Sequence, residues 1–214
     1  MRHVIVTRFS VPRLDAATAS RHADRAWLDS RLALFRTWFV PSVGRLGVPA
    51  VLLCSRPSAG YVGEQVRDLP WVSIVVQDDW YGGWRGTPDQ TVTRLDSDDA
   101  VHEGWFAALD QVPGDPDVCC TTDFLRMDAQ SGRVYSYRRL ETSPLAAFRR
   151  GQNPYAHDHK HLEAHHRVHL LKGQYLLQIA HGANLSNHLP AWWRLDRRVP
   201  RTRLAAFGVA GSAP

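Results

Sequence analysis

The stretch TRLDSDDAV, residues 93–101, decides how the rest of this 214-residue chain is read. On its left, Thr91 to Leu95 is a short apolar and β-branched run that predicts a strand. On its right, Ala100 to Leu109 predicts a helix, with Asp98 or Asp99 placed to cap its N-terminus. Asp96, Asp98 and Asp99 thus gather at a strand-to-helix junction. Carboxylates so close repel and raise one another's pKa unless a positive charge joins them. A hard divalent cation, Mg²⁺ or Mn²⁺, supplies that charge and needs few protein ligands when phosphates complete its shell. Such a cation can also neutralise a departing diphosphate as a Lewis acid. Arg94, two residues earlier, can contact a phosphate or brace a carboxylate. The competing reading is an exposed acidic turn in which Asp99 caps the helix.

Further strands and helices flank this stretch. His3–Phe9, Val51–Cys54 and Trp71–Val76 read as buried strands, and Asp24–Phe39 reads as a helix stopped by Pro41. The alternation predicts an α/β chain, an open and mostly parallel sheet with helices on both faces. In such sheets ligands bind beyond the carboxyl ends of the strands. That rule singles out Arg8–Ser10 after the first strand and Asp96–Asp99 after the fourth. Later, Val118–Thr121, Phe124–Met127, Val134–Tyr137 and Tyr175–Ala180 read as strands, and a short helix is expected after Ser143-Pro144. The division expected is one domain over 1–204, with halves at 1–110 and 111–204, and a frayed tail over 205–214.

Composition narrows the class. Hydrophobic residues are 44% and charged residues 22%, the balance of a folded globular chain. Without an apolar run long enough to span a bilayer or a signal-peptide pattern, and with Cys54, Cys119 and Cys120 unable to pair completely, a cytoplasmic protein is expected. The net charge of +5 is uneven: residues 61–137 hold five Arg against fourteen acids, while 138–204 hold twelve Lys or Arg against four. An acidic middle between basic flanks suits a cation site beneath a phosphate-attracting rim.

Asp78 and Asp79 follow the third strand and could bind a base or ribose. The loop DDWYGGWRG places Trp80, Tyr81 and Trp84 where rings could stack on a ligand. In HDHKHLEAHHRVH (157–169), a helix would put His161 with His165, and His165 with His169, on one face. The spacing departs from H-E-x-x-H, so zinc is the weaker reading there.

Four stretches resemble a family of rhamnosyltransferase-like bacterial glycosyltransferases: VTRFSV (6–11), WLDSRLALFRTWFVPSV (27–43), TRLDSDDAV (93–101) and HGANLSN (181–187). The resemblance implies a GT-A fold, Rossmann-like, with a nucleotide-diphosphate sugar donor and inverting transfer to an acceptor hydroxyl. It implies a metal held by Asp96, Asp98 and Asp99, with late His181 as a further ligand. It also implies nucleotide-sugar contacts at Thr7, Arg8 and Ser10; Asp78, Asp79, Trp84, Arg94 and Asp96, singled out by their positions, are expected to join them. Inverting transfer needs a general base, for which Asp158, Glu163 and His157 are candidates. The acceptor expected is a saccharide or, as in phage-type enzymes acting on a hydroxymethylated base, DNA. Other classes are a non-catalytic nucleic-acid or sugar-phosphate binder and a metal-dependent hydrolase or phosphotransferase.

Overall fold

In the computed structural model, residues 2–12, 22–138, 143–181 and 195–209 are described. Strands β1 (Arg2–Ser10), β2 (Ala50–Cys54), β3 (Val72–Val76) and β4 (Gln90–Arg94) are short runs of β-branched and apolar residues. They pair in parallel in the order β3-β2-β1-β4. The chain therefore winds outward from β1 to β3, then crosses back to lay β4 on the opposite side of β1. Such a reversal opens a crevice at the carboxyl ends of the two central strands. Beyond β4 lie β9 (Ala146–Phe148), β6 (Val118–Cys120) and β10 (Val168–Leu170), completing seven strands of which β9 alone is antiparallel to its neighbours. The result is a mixed α/β architecture with a mostly parallel main sheet.

Alternation along β1 assigns its two faces. Ile5 and Phe9 join the large core with Leu28, Leu32, Phe35 and Val62 from the helices α1 (Arg25–Leu34) and α3 (Arg56–Gln65) and the π-helical turn Phe35–Phe39. Val4 and Val6 face the other way, among Val51, Leu53, Val92 and Tyr155, with Trp80 and Trp84 against them. Helical cover is thus uneven. This second face is closed by an aromatic loop and, further along, by Leu162 of the four-residue helix α5 (Leu162–His165).

A second sheet, in the order β12-β8-β7-β11-β5, was not anticipated. It comprises β5 (Ala100–Val101), β7 (Asp123–Asp128), β8 (Val134–Arg138), β11 (Leu176–Ala180) and β12 (Leu195–Arg198). Several sequence expectations change with it. Ala100 and Val101 open no helix but pair with β11, and the helix α4 (Trp105–Asp110) starts later, with Gly104 at its N-cap. Ala146–Phe148, expected in a helix, is a strand because its small residues fit between β4 and β6. Pro41 does not stop the preceding helix. The π-helical turn bonds Val40 N–H to Phe35 O and interrupts the regular ladder just before the proline, so α2 (Val40–Gly44) continues through it. The supposed tail is docked as far as residue 209: Leu204, Phe207 and Val209 are buried against Trp38, Leu177 and Ile179. Residues 182–187 of HGANLSN and 210–214 of the tail lie outside the described residues. Among the described residues no helix is long and apolar enough to cross a membrane.

Gly151 ties the segment behind β9 to the rest. Its φ is +61°, and an added Cβ would lie 2.4 Å from the carbonyl oxygens of Gly86 and Thr87. Gly114 has φ +72° with nothing near its missing Cβ. Gly114→Ala should therefore cost about 1 kcal/mol of backbone strain alone. Gly151→Ala should cost about 2 kcal/mol more through overlap, measured by urea unfolding of both variants.

Candidate functional site

The crevice begins where β4 leaves β1. Val6 pairs with Arg94, and Leu95 N–H donates the last rung to Val6 O at 3.1 Å. The next donor on β1, Arg8 N–H, finds no β4 carbonyl and donates instead to Tyr155 Oη at 3.2 Å. Tyr155 passes its own proton to Val6 O at 3.2 Å. Burial pushes the Tyr155 phenol far above its usual range, so it remains a donor. The side chain of Arg8 is clamped as well, its guanidinium 3.4 Å from the Trp80 ring centre and 4.3 Å from that of Tyr155. It also donates to Trp80 O at 3.3 Å. Asn153 secures the clamp by donating to Tyr81 O and Gly82 O while accepting from Tyr155 N–H. Trp84 packs into the same cluster.

The three acids of 96–99 separate. Asp96 is open to solvent, and its carboxylate makes no hydrogen bond or ion pair among the described residues. The protein walls around it and the charge of Asp98 push its carboxyl up, against the pull of Arg8, Arg94 and Arg31. Asp98 is 7% exposed. Arg31 Nη1 donates to its Oδ2 at 3.1 Å and Nη2 to its Oδ1 at 3.4 Å, while His181 Nε2 lies 2.8 Å from Oδ2. Burial alone would raise this carboxyl, but Arg31 and His181 outweigh it and hold the group down at about 2. Asp99 faces elsewhere. It is buried and accepts Ile179 N–H at 2.9 Å, strapping the end of β4 to β11. Burial and its two acidic neighbours push it well above the usual carboxylate range.

The expected ligand set therefore changes: Asp99 is removed from it, because its oxygen closes a sheet. Among the described residues no three His, Cys, Asp or Glu side chains converge as a metal cluster. Asp96, Asp98 and His181 are what remains at the crevice. Two carboxylates and an imidazole are suitable donors for Mg²⁺ or, with nitrogen included, Mn²⁺.

Other expectations also shift. Ser10 is fully buried, its hydroxyl 2.6 Å from Ser58 Oγ, and Thr7 is fully buried on the helix side of β1, so neither side chain is exposed at the strand end. Asp78 accepts Arg56 N–H and serves the start of α3, while Asp79 shapes its own turn by accepting Tyr81 N–H. Arg94 is a buried clamp donating to Pro144 O and Pro154 O. Its Nη2 is buried without a hydrogen-bond partner, and Asp96 and Asp158 are its charged neighbours. Of the proposed bases, Asp158 is the one whose charge reaches Arg94, and it caps the turn after it by accepting Lys160 N–H at 3.1 Å. Glu163 is exposed on α5, and His157 stacks on His165 with ring centres 3.7 Å apart. That stacking and the shortness of α5 break the expected shared face of His161, His165 and His169. Arg31 and Tyr155 were not singled out by the sequence. Arg31 lies inside WLDSRLALF with no spacing to distinguish it, and Tyr155 stands isolated in NPYA.

No family model matches this chain, and no curated protein does. Among solved structures, the S. aureus TarS fragment 1–349 overlaps it with a TM-score of 0.44 at 12% identity, over 84% of this chain and 60% of that one. The same fragment in complex with UDP-GlcNAc gives 0.43 at 13%, over 88% and 62%. In complex with UDP it gives 0.42 at 14%, over 84% and 61%. The chain spans less than two thirds of those structures.

Two outcomes follow from the site's charges. Asp99→Asn keeps an acceptor for Ile179 N–H and should leave stability within about 1 kcal/mol, whereas Asp99→Ala should cost about 2 kcal/mol by orphaning that donor, read by chemical denaturation. Because the Asp98 carboxyl is depressed in the fold, its stabilisation is complete above the unfolded value of 3.8 and is lost as the pH falls towards about 2. In acid unfolding of the metal-free protein, Asp98→Asn should flatten that part of the stability curve.

Proposed function

We propose that this chain is a GT-A type glycosyltransferase, which uses a divalent cation and moves a sugar from a nucleotide-diphosphate sugar to an acceptor hydroxyl with inversion. What carries the reading is the placement of Asp96 and Asp98 just beyond the last β1–β4 rung, with Arg31 forked on Asp98 and the charges of Arg8 and Arg94 felt at Asp96. A pure anion binder gains nothing from two acids there, whereas a site for a cation and a diphosphate together requires both signs of charge. Asp98 and His181, which touch, and Asp96 two positions before would hold the cation only with diphosphate oxygens completing its shell, since the three form no cluster by themselves among the described residues. The cation would supply Lewis acidity to the departing diphosphate.

The chain's own groups account for the remaining steps. Arg8, stiffened between Trp80 and Tyr155, is pre-oriented towards the phosphates or base of the donor. Asp158 is the base we favour. Although burial opposes it, Lys160 N–H, His159 and Arg94 keep its carboxyl low, so it is ionised and ready to take the acceptor's proton as the new bond forms. The acceptor we favour is a saccharide hydroxyl.

A thermal-shift series with nucleoside diphosphates tests the reading. Stabilisation is expected only when Mn²⁺ and the matching diphosphate are both present, since a ligand that binds the native state raises its melting temperature. Asp96→Asn should abolish the shift. Asp158→Asn should preserve it while lowering sugar transfer about 100-fold or more. A series that stays flat with and without Mn²⁺ removes the proposal.

A further inference from the structure

Arg31 stands where a cation belongs. Its guanidinium covers both oxygens of Asp98, at 3.1 and 3.4 Å, and donates to Ser97 Oγ as well. Asp98 Oδ2 simultaneously holds His181. The side chains of Arg31, Asp98 and His181 are 16, 10 and 8% exposed, so this is an interior ion pair and not a surface contact. To make the fork, Arg31 leaves its own Nε buried without a hydrogen bond. The neighbouring Asp96 carboxylate, by contrast, is unpaired among the described residues. Two of the three prospective metal donors are therefore already committed to one guanidinium cluster, and the third is open.

We propose that Arg31 is a built-in counter-cation that competes with the divalent metal for Asp98 and thereby makes metal binding depend on arrival of the diphosphate. The inference rests on the glycosyltransferase reading and extends it to one further residue. A guanidinium and a divalent ion cannot share the same two oxygens without strong like-charge repulsion. If the guanidinium is pushed off Asp98 with nothing to receive it, a charge is left buried and uncompensated. A diphosphate removes that penalty, because its oxygens match the fork of Arg31 as a carboxylate does. Metal and diphosphate are then coupled: each binds weakly alone and more tightly with the other, by the same factor.

The test measures Mn²⁺ binding through the EPR signal of the free ion, for the unaltered chain and for Arg31→Met and Arg31→Lys. Without nucleotide, Arg31→Met should bind Mn²⁺ about tenfold more tightly than the unaltered chain, and the tightening produced by the effective nucleoside diphosphate should shrink by a similar factor. Arg31→Lys keeps the charge but loses the fork and should fall between the two. It also decides the matter if Arg31→Met does not fold. Equal or weaker Mn²⁺ binding in the folded variants overturns the role of Arg31 while leaving the glycosyltransferase reading standing. Absence of Mn²⁺ binding in all three proteins, with every nucleoside diphosphate, overturns both.

Discussion

Everything at the crevice follows from two parallel strands that stay paired only as far as Val6 and Leu95. Up to that rung the backbone satisfies itself. Beyond it β1 continues to Ser10 while the other chain turns through Asp96–Asp99, and each backbone group that loses its strand partner must find a new one. Tyr155 takes Arg8 N–H on one side, and Asp99 takes Ile179 N–H on the other. The opening is thus bounded by side chains doing the work of absent β-rungs, and the charged groups between them inherit fixed positions.

Within that frame, similar side chains have different tasks because the loop turns them in different directions. Asp96 faces water, Asp98 faces Arg31 and His181, and Asp99 faces the second sheet. The arginines divide in the same way. Arg94 is spent on the carbonyls of Pro144 and Pro154, which hold the later half of the chain against β4, and Arg8 is held by aromatic rings. The net effect is that carboxylates and guanidinium groups are fixed near one another beyond the last rung between β1 and β4.

The first two strands were legible because each carries a compact apolar run buried on both faces, the pattern parallel sheets impose, and the fourth because it is rich in β-branched residues. The third, expected to be buried, lies at the sheet edge with Val76 exposed. The two-residue Ala100–Val101 and three-residue Ala146–Phe148 were not legible, since segments so short have no period and owe their form to the strands beside them. Docking of residues 201–209 was hidden for a related reason: Leu204 and Phe207 stand one turn apart on a 3-10 helix (Arg201–Phe207), and two apolar residues make no readable period in so short a stretch. At the site, the sequence located the acids but could not tell a prospective ligand from a strap. That distinction depends on β11, some eighty residues away. Arg31 was illegible because one helical arginine among many looks like a solvated surface charge until Asp98 is seen opposite it.

The hydrogen bond from Tyr155 to Val6 spans 149 positions of the chain, and that between His181 and Asp98 spans 83. Contacts between such distant segments form late, because closing long loops costs entropy before any contact rewards it. During vectorial synthesis, β1 to β4 would emerge with the carboxyl end of β1 still unclamped and Asp98 still lacking its imidazole. Closure of the Arg31–Asp98–His181 cluster is therefore a late event of folding, reached only once residue 181 has left the ribosome and returned to the turn after β4.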